Sequence, residues 1–141
     1  MKHLSFLLSK RWLLVDAKNM KLGRLASKII ELLRGKHKST YCPYLNSGDK
    51  VVVINISYLL FSSKKLMSKK YFYHTGYPGG LKMILMKNKS YIDILRFAIK
   101  KMMPKKKKLT KKQLNNLYLY SEDNYKKLTQ KPQFINILRN E

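Results

Sequence analysis

Three stretches of this chain hold side chains whose types and spacing could do chemistry. In the first, Lys64, Lys69 and Lys70 lead into Tyr71-Phe72-Tyr73-His74, then Thr75-Gly76-Tyr77-Pro78-Gly79-Gly80-Leu81-Lys82. Cations interleaved with Tyr and His offer phosphate contacts beside ring faces that stack on unpaired bases. Pro78-Gly79 suits the central positions of a type II turn, Pro fixing φ and Gly supplying a positive one. Gly76 and Gly80 flank that turn and let a backbone approach a ligand closely. In the second stretch, Arg34 and Gly35 are followed by Lys36, His37 and Lys38, with Tyr41 close behind. The third combines Lys100 and Lys101 with Lys105, Lys106, Lys107 and Lys108, a strip expected to be extended and to order on a partner, with Lys111 beyond it as a further candidate contact. From composition alone, solvated surface loops account for these charges equally well.

The balance of charge decides what kind of partner is worth considering. Lys and Arg number 31 against 7 Asp and Glu, a net charge of +24 on 141 residues. Self-repulsion at that density is relieved by a polyanion, and each neutralised phosphate of a nucleic acid releases condensed counterions. Five of the 31 are Arg (Arg11, Arg24, Arg34, Arg96 and Arg139), which leaves 26 Lys. Lys acts as a flexible point charge, better suited to phosphate contact than to bidentate base reading. About a third of the lysines are expected to be merely solvated, since a compact domain cannot turn every face to RNA.

Other chemistries lack their residues. Arg34-Gly35-Lys36-His37-Lys38-Ser39 contains a Gly-Lys pair, but position 30 is Ile where a phosphate-binding loop needs its earlier Gly. His3, His37, His74 and the single Cys42 have no metal-ligand spacing, and one cysteine forms no internal disulfide. Asp16 and Asp49 lie near strand ends, where active sites of α/β folds gather, but carboxylates there more often fix backbone N–H groups in turns. No apolar run approaches the roughly 18 residues that span a bilayer. No cofactor, small-molecule substrate or membrane partner is expected, nor a homo-oligomer.

The elements that must position these side chains alternate between strand and helix. Trp12-Leu13-Leu14-Val15 is a short apolar run ended by Asp16, and Asn19 sits in the next turn. Leu22, Leu25, Ala26, Ile29, Ile30 and Leu33 recur at helical spacing, with Lys21, Arg24, Lys28 and Arg34 mostly off that stripe and Gly35 as terminator. Val51 to Ile56 is β-branched without alternation, the pattern of a strand covered on both faces. Ser90 is placed to cap a helix from Tyr91 to Met103, with Ile92, Leu95, Ile99 and Met102 as its apolar set and Pro104 as its stop. Thr110 and Gln113 read as a capping box for a short third helix, and Leu117 to Tyr120 as a strand. Residues 1–11 read as an N-terminal extension, either a remnant of organellar targeting or a segment lying on the partner, and residues 12–141 as one domain.

With these segments in place the chain resembles a known family. His74-Thr75-Gly76-Tyr77-Pro78-Gly79-Gly80-Leu81-Lys82 is similar to the signature of the universal thirteenth protein of the large ribosomal subunit, bacterial and organellar type. The resemblance continues through Trp12 to Ala17, Leu22-Gly23-Arg24-Leu25-Ala26, Arg34 to Lys38, Tyr41-Cys42-Pro43, Gly48-Asp49, Val53-Ile54-Asn55 and Met102-Met103-Pro104-Lys105. It implies an α/β fold, a three-layer α/β/α single domain around a mostly parallel four-stranded sheet, with basic loops and terminal extensions. It also implies a structural, non-enzymatic role: binding large-subunit ribosomal RNA beside neighbouring ribosomal proteins and supporting subunit assembly.

Some positions depart from the family pattern. Asn46 replaces an acidic residue, Ser62-Ser63 a Thr-Gly pair, and Lys101 a Gly. Lys21 stands where a capping Thr is usual, which weakens that helix start by up to about 1 kcal/mol. Lys106 to Lys111 replaces a Gly-rich stretch, and Asp123 to Lys127 a His-Pro-His segment. Two rival readings make different demands. A sequence-specific DNA regulator needs Arg, Asn or Gln at base-reading positions of a helix, and an RNA-modifying enzyme needs a cofactor loop or a paired acid and base. Excess Lys with abundant Asn, Ile and Tyr suits an AT-rich coding sequence. A ribosome in an organelle, a mitochondrion before a plastid, is the expected location, with the cytoplasm of an AT-rich bacterium as the alternative.

Overall fold

The computed structural model describes residues 10–104, 108–125 and 130–135. In chain order its elements are β1 (Trp12–Asp16), α1 (Leu22–Arg34), β2 (Lys50–Ile54), α2 (Ser63–Ser68), β3 (Lys70–His74), β4 (Leu81–Leu85), α3 (Tyr91–Met102), α4 (Lys108–Leu114), β5 (Leu117–Leu119) and β6 (Gln133–Ile135). The α/β class and the four-stranded sheet are as expected. The sheet runs β5-β2-β1-β6 and every neighbouring pair is parallel, while β3 and β4 form a separate antiparallel hairpin.

Side-chain alternation explains how the sheet is filled. Leu13, Val15, Val51 and Val53 face α1 and α3, joining Leu25, Ile29, Leu33, Leu95 and Ile99 in one core cluster. On the other face Tyr118, Val52, Leu14 and Phe134 stand side by side across the four strands. There Trp12 stacks on Tyr118 at 5.4 Å between ring centroids, and the Lys50 ammonium lies 4.5 Å over the Trp12 ring. Val51, Val52 and Val53 are all buried, so the unbroken β-branched run reports a strand covered on both faces.

The long helices begin and end for identifiable reasons. α1 buries the apolar stripe Leu25, Ala26, Ile29, Ile30 and Leu33, together with Leu32. Gly35 ends it at φ 76°, its N–H donating to Leu32 O while Lys36 N–H donates to Glu31 O, the two bonds of a Schellman motif. At its start Lys21 makes no side-chain cap. α3 is capped as expected, Ser90 Oγ accepting from Asp93 N–H at 3.2 Å and donating to the Asp93 carboxylate at 2.7 Å.

Several local expectations need correction. β2 stops at Ile54 rather than Ile56, because Asn55 turns left-handed at φ 59° and begins a 3₁₀ turn at Ile56–Tyr58. Thr110 lies inside α4 and caps nothing, since its hydroxyl donates to Pro104 O at 2.9 Å, and Gln113 is buried. Met102 is 52% exposed: it falls in the last turn of α3, while Ile94 and Met103 are the buried neighbours. The β3–β4 hairpin, the short α2 and the edge strand β6 were not anticipated as regular elements.

Candidate nucleic-acid interface

One group of expected contact residues collects where α1 ends. Gly48 lies directly on the last turn of α1, where an added Cβ would meet Leu33 O at 1.7 Å. Only glycine permits that approach, and it carries Asp49 to a fully buried position beneath the helix exit. The Asp49 carboxylate accepts Arg11 N–H at 2.9 Å, lies 2.8 Å from His37 Nε2 and binds Lys38 Nζ, which also donates to Ser47 O at 2.9 Å. Arg34 donates to the Tyr41 hydroxyl at 3.1 Å. His37, Lys38 and Arg34 are thus held by partners within the chain, whereas Lys36 is exposed. Along α1, Arg24 is exposed and Lys28 pairs with Glu31 at 3.5 Å. Asp16 serves its own turn, accepting from Lys18 N–H and Asn55 Nδ2.

Lys10, which sequence reasoning assigned to the extension, belongs to this group. Partial burial, then the nearby ammonium groups of Lys50 and Lys38, hold its amine below the ordinary lysine value. An anion placed among these three cations would relieve that crowding.

The second group sits on the hairpin. Gly80 N–H donates to Tyr77 O at 2.9 Å and Gly79 has φ 73°, so Pro78-Gly79 forms the expected turn. Gly76 takes φ 97°, and its N–H donates to His74 Nδ1 at 3.0 Å, giving His74 a role in shaping the tip. A Cβ on Gly80 would meet the backbone Tyr77 O at 2.9 Å as well as Thr75 Oγ1 at 2.0 Å, which favours glycine there. Tyr73 and Tyr77 are 64% and 76% exposed, leaving their ring faces accessible, and Lys82 stands opposite Tyr73 in the ladder. Tyr71 instead packs edge-on against Phe97 of α3 at 5.0 Å, and burial pushes its phenol upward in pKa.

A cleft of about 970 Å³ opens between the start of α1, α2, β3 and the end of α3. It brings together Lys69, Lys70, Tyr71 and Lys101 from the expected set and adds Lys21, Lys65 and Phe72. Lys64 is exposed nearby on α2, and Lys100 on α3. Lys108 and Lys111 are exposed on α4, so Lys108, like Lys100 and Lys101 on α3, is helical rather than extended, and Lys111 lies in the short helix expected there. Lys105, Lys106 and Lys107 lie outside the described residues. Lys21, Lys65 and Phe72, missed by sequence reasoning, join the cleft only through topology, since Lys21 is far from Lys101 in the chain.

The cleft and the helix-exit group stand at opposite ends of α1. Its 13 residues separate the cleft beside Lys21 from the helix exit at Arg34 by about 20 Å at 1.5 Å per residue. Among the described residues no cluster of His, Cys, Asp and Glu could hold a metal, and no helix is long and apolar enough to cross a membrane.

A family model described as ribosomal protein L13 matches residues 10–126. The chain belongs to the ribosomal protein L13 family. It is similar to the large ribosomal subunit protein uL13 of Sinorhizobium medicae, 37% identical over 134 residues that cover 92% of this chain and 86% of that protein. Similarity to the protein of the same name from Exiguobacterium sibiricum is 41% over 128 residues, covering 88% and 87%. With that of Caldanaerobacter subterraneus it is 42% over 132 residues, covering 91% of each. Membership in the L13 family, a structural component of the ribosome, gives the aromatic-glycine hairpin and the basic helix exit a context in which no catalytic group is called for.

Proposed function

We propose that this chain is a structural constituent of the large ribosomal subunit that grips large-subunit ribosomal RNA at two basic centres and supports folding of the subunit. The observation that carries the reading is the placement of those centres, at the two ends of one rigid helix about 20 Å apart. The Lys-dominated surface makes phosphate contacts, while Tyr73 and Tyr77 offer stacking surfaces on the hairpin. Two RNA segments bound this way are held in fixed relation by the α/β core. Arg24, Lys28, Lys36 and the hairpin face RNA in this reading, and His37 and Lys38 shape the helix exit as much as they touch phosphate. The relatives compared are bacterial, so the Lys-rich composition fits the cytoplasm of an AT-rich bacterium as well as an organelle.

Salt titration tests the reading. The affinity of the full chain for transcribed large-subunit ribosomal RNA should fall steeply with salt, by a log–log slope of about 0.7 to 0.9 per phosphate contact. Replacing Lys100, Lys101, Lys108 and Lys111 together with Ala should flatten that slope. An unchanged slope removes the strip from the interface, and salt-independent binding rejects the phosphate-gripping mechanism.

A further inference from the structure

Resting on the RNA-binding reading, we infer that the cleft beside the start of α1 is a seat for unpaired RNA, with at least one base stacked on Phe72. Two properties of the cleft identify this occupant. The first is charge: Lys21, Lys65, Lys69, Lys70 and Lys101 line it, and no Asp or Glu does. A wall with five cations and no carboxylate suits a polyanion and repels basic segments of a protein partner.

The second is the state of the rings. Lys89 and Lys101 hold their ammonium groups 5.2 and 5.0 Å from the Phe97 centroid, and Lys69 lies 5.5 Å over Tyr71. These cation–π contacts orient Lys69 and Lys101 at the cleft before any ligand arrives. Phe72 is different: it is 66% exposed, and among the described residues no ring or ammonium group covers it. An accessible ring beside pre-oriented ammonium groups is the pairing that binds single-stranded nucleic acid, the ring taking the base and the cations its phosphates. The volume, about 970 Å³, lies at the upper end of ligand-holding clefts and admits more than one unpaired nucleotide. A duplex presents no free base face, so this seat selects single-stranded over paired RNA.

The test compares two probes on the full chain: a short single-stranded RNA carrying 2-aminopurine, and a blunt RNA duplex. Wild type should bind both and quench the 2-aminopurine. Phe72→Ala should weaken single-strand binding about tenfold and abolish the quench while changing duplex binding less than about twofold. Phe72→Trp should restore both readouts, and matching thermal melts show that the variants fold. If Phe72→Ala binds the strand as wild type does, or loses strand and duplex alike, the seat is wrong although RNA binding stands. If wild type binds neither RNA, both readings fall. Ultraviolet crosslinking in purified large subunits that joins the Phe72 peptide to a protein instead of to RNA also overturns the proposal.

Discussion

Replacing Asp49 with Asn probes the junction on which the helix exit depends. Asn keeps the shape and one oxygen for Arg11 N–H, but it removes the charge that faces Lys38 and His37. A buried pair broken on one side costs about 3 to 5 kcal/mol. Here the Lys38 and His37 side chains keep 16% and 35% of their exposure, so water recovers part of that loss. A destabilisation of about 2 to 3 kcal/mol follows. In urea unfolding, with a slope of about 2 kcal/mol per molar, the midpoint should drop by about 1 to 1.5 M. Removing the Lys38 ammonium as well, in Lys38→Met/Asp49→Asn, should cost less than the sum of the single changes. A loss below about 0.5 kcal/mol for Asp49→Asn, or full additivity in the double variant, would mean that the Asp49 carboxylate does not hold the helix exit together.

Two glycines of the family motifs should respond in opposite directions. Gly48→Ala drives a Cβ into Leu33 O and should cost at least about 2 kcal/mol, whereas Gly23→Ala, with nothing within 4 Å, should gain about 0.5 to 1 kcal/mol from helix propensity; chemical denaturation of each variant separates the cases. Lys10 supplies a pH test. Its folded pKa lies below the unfolded value of 10.5, so the charged amine disfavours the fold at neutral pH, and that penalty fades as pH rises through the folded value toward 10.5. Lys10→Gln should therefore melt higher than wild type at pH 7, and the gap should close under alkaline conditions.

Local signals in the sequence carried the βαβ unit well. Continuous β-branching announced a doubly covered β2, the 3.6-residue stripe announced α1, and Gly35 and Ser90 marked helix ends through backbone chemistry that needs no distant partner. What escaped was set by long-range contacts. Tyr71-Phe72-Tyr73 has strand character, but the hairpin is defined by pairing with Leu81 to Leu85. Gln133 to Ile135 is a strand because it pairs with β1 across more than a hundred residues of chain. At the site, charge counts named the lysines without revealing that Asp49 engages Lys38, or that the cleft collects Lys21 with Lys101. Only the fold distinguishes a cation held by a carboxylate from one left facing solvent.

A fixed part of the large ribosomal subunit stays with the particle when loosely held proteins are washed away. Sedimentation of native lysate from the source, followed by a high-salt wash and quantification of the chain in each fraction, tests this role most directly. The chain should co-migrate with large subunits and stay with them through the wash at about one copy per particle. Recovery of the chain mainly in the soluble fractions, away from large subunits, would contradict it.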